Sequence, residues 1–285
     1  MDAPPISKPV LWFFRRIVRG YFRRHFHGVR ISRASRLNSF GEERLIVYAN
    51  HSSWWDPMLL VLLGEKLMPG RRHYAPMLAG ALARYGILKR IGVFGVELDT
   101  GRGGAQFLRT GSKILESGGV LWVTPQGRFA DPRERPIALK PGLAALAAKL
   151  KGGCVLLPLA VEYAFWDERL PETLLHFGEP IRVNGQSADE LQRELEAALL
   201  TTMETLQVAA MARDAAAFSL LLAGTVGTGG FYQLGQRTLA TMRRRRFQAE
   251  HTASPVATPG HAHAPSQSPA PSHAPSHLPS QEEGG

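Results

Sequence analysis

The sequence LIVYANHSSWWDP, residues 45–57, joins a strand-like run to a polar loop and decides how the rest of the chain is interpreted. Residues 45–49 are apolar and partly β-branched, which is typical of a short buried strand. The polar cluster that follows contains His51 and Asp56, and Pro57 keeps this loop out of a continuous helix interior. A polar cluster at the end of a strand is a favourable place for chemistry.

The pair formed by His51 and Asp56 is the first candidate for a catalytic role. Four residues separate them, so the carboxylate can fold back onto one imidazole nitrogen. An aspartate in that position fixes the imidazole tautomer and stabilises the imidazolium, which leaves the other nitrogen free to take a proton from a hydroxyl that attacks a carbonyl. The spacing is equally compatible with a purely structural hydrogen bond, and this alternative stays open at this point.

Helix and strand signals alternate along the chain. Helices are predicted at residues 58–63, 75–85, 105–116, 143–150 and 187–212, and strands at 45–49, 120–124, 155–163 and 174–183. The glycine-rich residues 101–104 are expected to form a turn before the helix at 105. Such alternation predicts an α/β fold with a central, mostly parallel or mixed sheet flanked by helices.

Composition shifts divide the chain into four parts. Residues 1–40 are predicted to form an amphipathic, membrane-associating segment, residues 41–212 the catalytic domain, and residues 213–250 an apolar and basic segment. Residues 251–285 are rich in proline, serine and histidine and nearly lack aliphatic residues, so they are expected to be a disordered tail. An apolar stretch at residues 215–223 is too short to span a bilayer.

The N-terminal segment mixes large apolar residues with five arginines between residues 9 and 27. At helical period, one side collects apolar residues and the other collects arginines. The apolar side contains Val10, Phe14, Ile17, Val18, Tyr21 and Phe22. This pattern is typical of a helix lying in the headgroup plane of a membrane, and the alternative is a helix that covers the core of its own domain.

The net charge of the chain narrows the class of partner that the protein is expected to bind. The formal net charge is +10, which favours an anionic partner, either a nucleic acid or an anionic lipid. No nucleic-acid-binding signature accompanies the charge, whereas the basic N-terminal segment is also aromatic, so we expect an anionic membrane surface and no nucleic acid. Cys154 is the single cysteine, which fits a reducing compartment. These features predict a peripheral membrane protein on the cytoplasmic side; a non-catalytic lipid- or nucleic-acid-binding protein is the less favoured alternative.

Four sequence blocks identify a family resemblance. Residues 50–57 resemble the N-H-x4-D-P block of the glycerolipid acyltransferase superfamily, of the lysophosphatidic acid acyltransferase type, which works in phospholipid biosynthesis. Residues 92–96, 124–128 and 155–161 stand where that family has its second, third and fourth blocks. The resemblance implies acyl transfer from a thioester, either acyl-CoA or acyl carrier protein, to a hydroxyl of a lysophospholipid such as lysophosphatidic acid. It further implies that His51 is the general base and Asp56 orients it, with no metal and no cofactor.

Two blocks depart from the family pattern at charged positions. Glu97 stands where the family usually has a phosphate-binding arginine, Gln126 replaces the glutamate of the third block, and the arginine of that block directly follows Gly127 as Arg128. A carboxylate accepts hydrogen bonds from hydroxyls but repels phosphate, so the alternative acceptor is a glycolipid or another phosphate-free lipid. Arg102 and Arg128 could supply a replacement anion site. The predicted substrate-binding residues are Arg128, Gly127, Gln126, Glu97 and Arg102.

Overall fold

The computed structural model of the chain describes residues 3–36 and 40–224. The strands are β1 (Gly28–Ser32), β2 (Leu45–Ala49), β3 (His73–Leu78), β4 (Val93–Val96), β5 (Val120–Val123), β6 (Val155–Ala164), β7 (Glu172–Phe177), β8 (Ile181–Arg182) and β9 (Phe218–Ala223). The helices are α1 (Lys8–His25), α2 (Asp56–Leu67), α3 (Ala79–Arg84), α4 (Gly101–Glu116), α5 (Gly142–Lys149) and α6 (Ala188–Ala212). Short 3-10 helices occupy Gly86–Ile91 and Ala215–Ala217.

The strands of these described residues form one sheet in the order β4-β3-β5-β2-β6-β7-β1-β9, and β8 pairs with β6. The pairs β3–β4, β3–β5, β2–β5, β2–β6 and β1–β7 are parallel. The pairs β6–β7, β6–β8 and β1–β9 are antiparallel. The prediction of an α/β fold with a central, mostly parallel sheet and an N-terminal helix is confirmed.

The central strand β2 explains why residues 45–49 are apolar at every position. Successive side chains of a strand point to opposite faces of the sheet. Ile46 and Tyr48 pack into one buried cluster with residues of α4, α5 and α6, while Leu45 and Val47 pack into a second cluster with residues of α1 and α2. Both faces are therefore covered by helices, and the loop after Ala49 emerges at the carboxyl edge of the sheet.

Helix α1 packs against its own domain. Val18 and Phe22 are almost completely buried, at 0% and 1% exposure, and α1 contacts α2. Part of the apolar side that the sequence analysis assigned to a membrane thus covers the core, as in the alternative interpretation, while Tyr21 on the same side is 45% exposed. Trp12 and Phe13 remain exposed on the same helix. No described helix is both long and apolar enough to cross a bilayer.

Two of the predicted elements were wrong in type. Residues 75–78 lie in strand β3 rather than in a helix, and only residues 79–84 of that stretch are helical. Residues 101–104 are not a turn but the first turn of α4, where Thr100 Oγ1 accepts a hydrogen bond from the Gly103 N–H at 3.0 Å. A Cβ on Gly103 would lie 1.8 Å from the backbone oxygen of Glu97, so the glycine permits this helix to begin against the preceding loop.

The C-terminal half of the sheet also differs from expectation. The predicted strand at 174–183 is two strands, β7 and β8, because the chain turns at Gly178, where a Cβ would collide with Thr202. Strands β1 and β9, which the sequence did not indicate, come from the N-terminal and C-terminal segments and join the same sheet. Helix α6 begins at the predicted cap, because Ser187 and Glu190 form a reciprocal capping box. Residues 225–285, including the predicted tail, lie outside the described part of the chain.

Candidate active site

The loop between β2 and α2 is anchored to the neighbouring strand β6 by Asn50. Its side-chain amide donates to the Val161 carbonyl at 3.0 Å and accepts from the Val161 N–H at 2.8 Å. Both groups are buried, so the pair satisfies polar atoms that would otherwise be costly to leave unpaired. This pair of hydrogen bonds to β6 fixes the position at which the chain leaves the sheet just before His51.

Asp56 closes the loop by accepting hydrogen bonds on both carboxylate oxygens. Its Oδ2 lies 2.8 Å from His51 Nδ1 and accepts from the backbone N–H groups of Ser52 and Ser53, each at 2.9 Å. Its Oδ1 accepts from the Tyr163 hydroxyl at 2.6 Å. The Asp56 side chain is only 2% exposed, so these donors take the place of water around the carboxylate. The folding-back that the spacing predicts is thus present.

Tyr163 is a permanent donor in this arrangement. Burial and the adjacent Asp56 carboxylate raise the pKa of the Tyr163 hydroxyl well above its usual value. The phenol therefore keeps its proton at neutral pH. The sequence interpretation missed this residue, although it stands two positions after the fourth block, on the strand that pairs with β2.

Two hydrogen bonds hold the backbone of His51, and one nitrogen of its ring has no partner among the residues described. Its N–H donates to Gln126 Oε1 at 2.8 Å, its carbonyl accepts from the Ala130 N–H at 2.8 Å, and its ring lies 4.4 Å from the Phe129 ring, centroid to centroid. Because an ionised carboxylate can only accept, Nδ1 carries the proton that bonds to Asp56. Nε2 has no hydrogen-bond partner among the residues described, so it can act as a base.

A cavity of about 850 Å³ opens beside His51. Its wall includes apolar side chains from α2, β3 and β5, namely Leu60, Val61, Ala75, Met77 and Trp122. Its charged lining residues are Arg15, Arg84, Glu97, Asp99, Arg128 and Lys140. The cavity thus combines a wall suited to a hydrocarbon chain with a charged margin suited to a polar group.

His73 also lines this cavity but is already occupied. Its Nδ1 accepts from Trp122 Nε1 at 3.0 Å, and its Nε2 donates to the Met68 carbonyl at 2.9 Å. Burial lowers the pKa of His73 to about 4, so its ring is neutral at neutral pH. Because both of its ring nitrogens are hydrogen-bonded, His73 links Trp122 to the Met68 carbonyl and has no free nitrogen to act as a base.

The structure gathers only part of the predicted substrate-binding set. Glu97, Gly127 and Arg128 line the cavity with His51. Gln126 does not line it but supports the His51 backbone, and Arg102 is exposed on the first turn of α4, away from the cavity lining. Gly127 adopts a φ of 69°, which favours glycine and makes this position a turn requirement.

Two cations at the margin of the cavity already have carboxylate partners. Arg128 donates to both oxygens of Glu134, which the sequence did not indicate. Lys140 Nζ lies 2.6 Å from Asp99 Oδ1. Glu97 is exposed and no ion pair within the described chain neutralises it. These two ion pairs therefore make the cavity lining less positive than the arginine content of the sequence indicates.

Within the described ranges, no cluster of three or more histidine, cysteine, aspartate or glutamate side chains is arranged to hold a metal ion. Cys154, the single cysteine of the chain, is buried, and burial raises the pKa of its thiol to about 12. A thiol in that state is not a nucleophile at neutral pH.

Comparisons with known proteins indicate which protein family the chain resembles. No curated protein matches the chain. Among solved structures, the chain is similar to a 1-acyl-sn-glycerophosphate (LPA) acyltransferase, PlsC, from Thermotoga maritima, with 18% identity, 70% of this chain and 79% of that chain covered, and a TM-score of 0.49. Residues 23–162, which contain all four sequence blocks, match the family model described as Acyltransferase. Residues 23–162 are therefore similar to the acyltransferase family.

Proposed function

We propose that the protein transfers a fatty acyl group from an acyl thioester to the free hydroxyl of a lysophospholipid such as lysophosphatidic acid. The observation that carries this proposal is the His51–Asp56 pair at the edge of a largely apolar cavity, with the second imidazole nitrogen unpaired. A base at this place can deprotonate a hydroxyl beside a bound thioester. The donor is acyl-CoA or acyl carrier protein, and no other cofactor is proposed.

The proposed reaction needs one base and one proton. His51 Nε2 takes the proton of the acceptor hydroxyl as the oxygen attacks the thioester carbonyl carbon. Asp56 stabilises the imidazolium that forms. The tetrahedral intermediate then expels the thiolate, which takes the proton from His51, so an ester and a free thiol result and the imidazole returns to its neutral form.

The test of this function is a direct assay. Purified protein is incubated with a labelled acyl-CoA or acyl carrier protein and with lysophosphatidic acid, and the labelled product is identified. We expect labelled phosphatidic acid and one free thiol for each ester formed. Hydrolysis of the thioester without an acylated lipid, across a panel of lysophospholipids and glycolipids, would sink the proposal.

A phosphate-free acceptor is the second candidate, and Glu97 and the paired cations Arg128 and Lys140 favour it, whereas the other two lining cations, Arg15 and Arg84, favour phosphate. Arg128 and Lys140 each bind a carboxylate already, and Glu97 adds a negative charge that repels phosphate. Sugar hydroxyls, in contrast, can donate hydrogen bonds to Glu97. A glycolipid in the same assay separates the two acceptors, because efficient turnover of lysophosphatidic acid with no turnover of glycolipid would remove this candidate.

Substitution of Glu97 tests whether its carboxylate repels the phosphate group of the acceptor. We expect Glu97→Gln to lower the KM for lysophosphatidic acid by about threefold to tenfold, because one repulsive charge is removed near the headgroup. The KM for a glycolipid acceptor should not fall. The matched control is Glu116→Gln, which changes the same charge at an exposed site outside the cavity. An equal effect of both substitutions would show that net charge matters and Glu97 does not.

We also propose that the protein binds an anionic membrane surface from the cytoplasmic side. The supporting observation is a group of exposed apolar residues near the cavity. Trp54, Leu78, Tyr85 and Phe129 are each at least half exposed and line the cavity, and Trp12 and Phe13 are exposed on α1. The arginines of α1 supply the positive charge, and Arg16 lies 5.3 Å from the Trp12 ring centroid. Aromatic rings beside cations suit a lipid headgroup region.

Binding to liposomes tests the proposal that the protein binds an anionic membrane surface. We expect Trp12→Ala together with Phe13→Ala to weaken binding to anionic vesicles by about tenfold or more, because two exposed aromatic side chains no longer enter the interface. Val208→Ala with Met211→Ala removes comparably exposed apolar groups from α6 and should leave binding unchanged. Retention on DNA that exceeds binding to vesicles, or equal losses in both variants, would contradict the proposed surface.

A further inference from the structure

Tyr163 is the one side chain outside the loop that contacts the Asp56 carboxylate in the described chain. The three donors from the loop all bond to Oδ2, whereas Oδ1 accepts from the Tyr163 hydroxyl at 2.6 Å. Tyr163 lies near the end of β6, a strand that also holds Asn50 through Val161. The same strand therefore fixes both ends of the catalytic loop.

The phenol of Tyr163 does not line the cavity beside His51. Tyr163 lines a second cavity, of about 660 Å³, together with Ser52 and Ser53, whereas His51 lines the first cavity and Tyr163 does not. A group outside that lining is not placed to contact a hydroxyl or thioester bound next to His51 Nε2. We therefore expect Tyr163 to act on the reaction through its hydrogen-bond partner Asp56.

We propose that Tyr163 is a positioning residue that holds the Asp56 carboxylate in the orientation that His51 needs. This inference rests on the proposed function. If the hydroxyl is absent, Oδ1 is a buried carboxylate oxygen with no partner, since the side chain is only 2% exposed. The carboxylate can then rotate about its last bond, and this rotation moves Oδ2 away from His51 Nδ1.

Tyr163→Phe is the test, because it removes one oxygen and keeps the ring that packs 5.6 Å from Phe26. We expect kcat to fall by about tenfold to a hundredfold, in line with the cost of misplacing a catalytic group by a fraction of an ångström to one ångström. The KM values for the thioester and the acceptor should stay within about twofold, because neither substrate contacts Tyr163. Circular dichroism and the melting temperature establish that the variant is folded at the assay temperature.

A double-mutant cycle separates positioning from general stabilisation. In an Asp56→Ala background, Tyr163→Phe should reduce the residual kcat by less than about twofold, because no side chain is left at position 56 for the hydroxyl to hold. The matched control is Tyr48→Phe, which removes another buried hydroxyl, one that donates to the Leu195 carbonyl instead of to Asp56. It should leave kcat unchanged.

The possible outcomes either support or overturn the inference. A loss of kcat that vanishes in the Asp56→Ala background supports it. Unchanged kcat in Tyr163→Phe, equal losses in both backgrounds, or an equal loss in Tyr48→Phe would overturn it. Failure of the proposed function is distinguishable, because in that case the parent protein forms no acylated lipid or His51→Ala keeps the activity of the parent. Failure of this inference leaves the parent active, His51→Ala inactive and Tyr163→Phe fully active.

Discussion

Replacing His51 with alanine should abolish acyl transfer, with kcat/KM falling by about a thousandfold to ten-thousandfold. The reason is that the acceptor hydroxyl is a weak nucleophile at neutral pH and Nε2 of His51 is the open base beside the cavity. His73 cannot substitute, since Trp122 and the Met68 carbonyl occupy its two nitrogens. Initial rates of ester formation at saturating thioester measure this loss.

A second variant distinguishes loss of the base from loss of packing. His51→Gln keeps a side chain of similar length that can donate to Asp56, but its amide cannot accept a proton at neutral pH. We expect it to be as inactive as His51→Ala. Both variants should melt close to the parent protein, because the His51 side chain borders the cavity and Asp56 keeps its bonds from Ser52, Ser53 and Tyr163. Substantial activity in either variant would refute the general-base role.

Local sequence was sufficient for the elements whose pattern is strong. The run at 45–49 became β2, and the capping residues Ser187 and Glu190 began α6 where they were expected. Residues 75–78 were different, because alanine, proline and methionine carry little local preference for a strand. They become part of β3 through pairing with β4, while β5 pairs with His73 and Tyr74 at the start of the same strand, and such non-local pairing overrides weak propensity.

In the candidate site, too, contacts between residues close in sequence could be predicted and contacts between distant residues could not. His51 and Asp56 are close in sequence, so their spacing was informative about their contact. Tyr163 and Gln126 reach the same loop from 107 and 75 positions away in the chain, and their contacts depend on strands that must first assemble beside β2. The charge of Arg128 was visible, but its neutralisation by Glu134 was not, because nothing in the sequence distinguishes a cation paired within a loop from one that awaits a substrate.

Replacing Asp56 with asparagine should lower kcat by about a thousandfold to ten-thousandfold while the loop keeps its shape. The amide oxygen can take the place of Oδ2 and accept from His51 Nδ1 and from the N–H groups of Ser52 and Ser53. The amide nitrogen then faces the Tyr163 hydroxyl, which can accept in place of donating. What disappears is the negative charge that stabilises the imidazolium in the transition state.

Asp56→Ala gives the contrast that identifies this loss as electrostatic. Alanine leaves the Ser52 and Ser53 N–H groups and the Tyr163 hydroxyl without their acceptor at a site that is almost closed to water. Each such group costs on the order of 1–3 kcal/mol, so the alanine variant should melt well below the asparagine variant at similar residual activity. If Asp56→Asn instead retained more than about a tenth of the parent kcat, the carboxylate charge would have no part in catalysis, and Asp56 would be a structural acceptor for the loop.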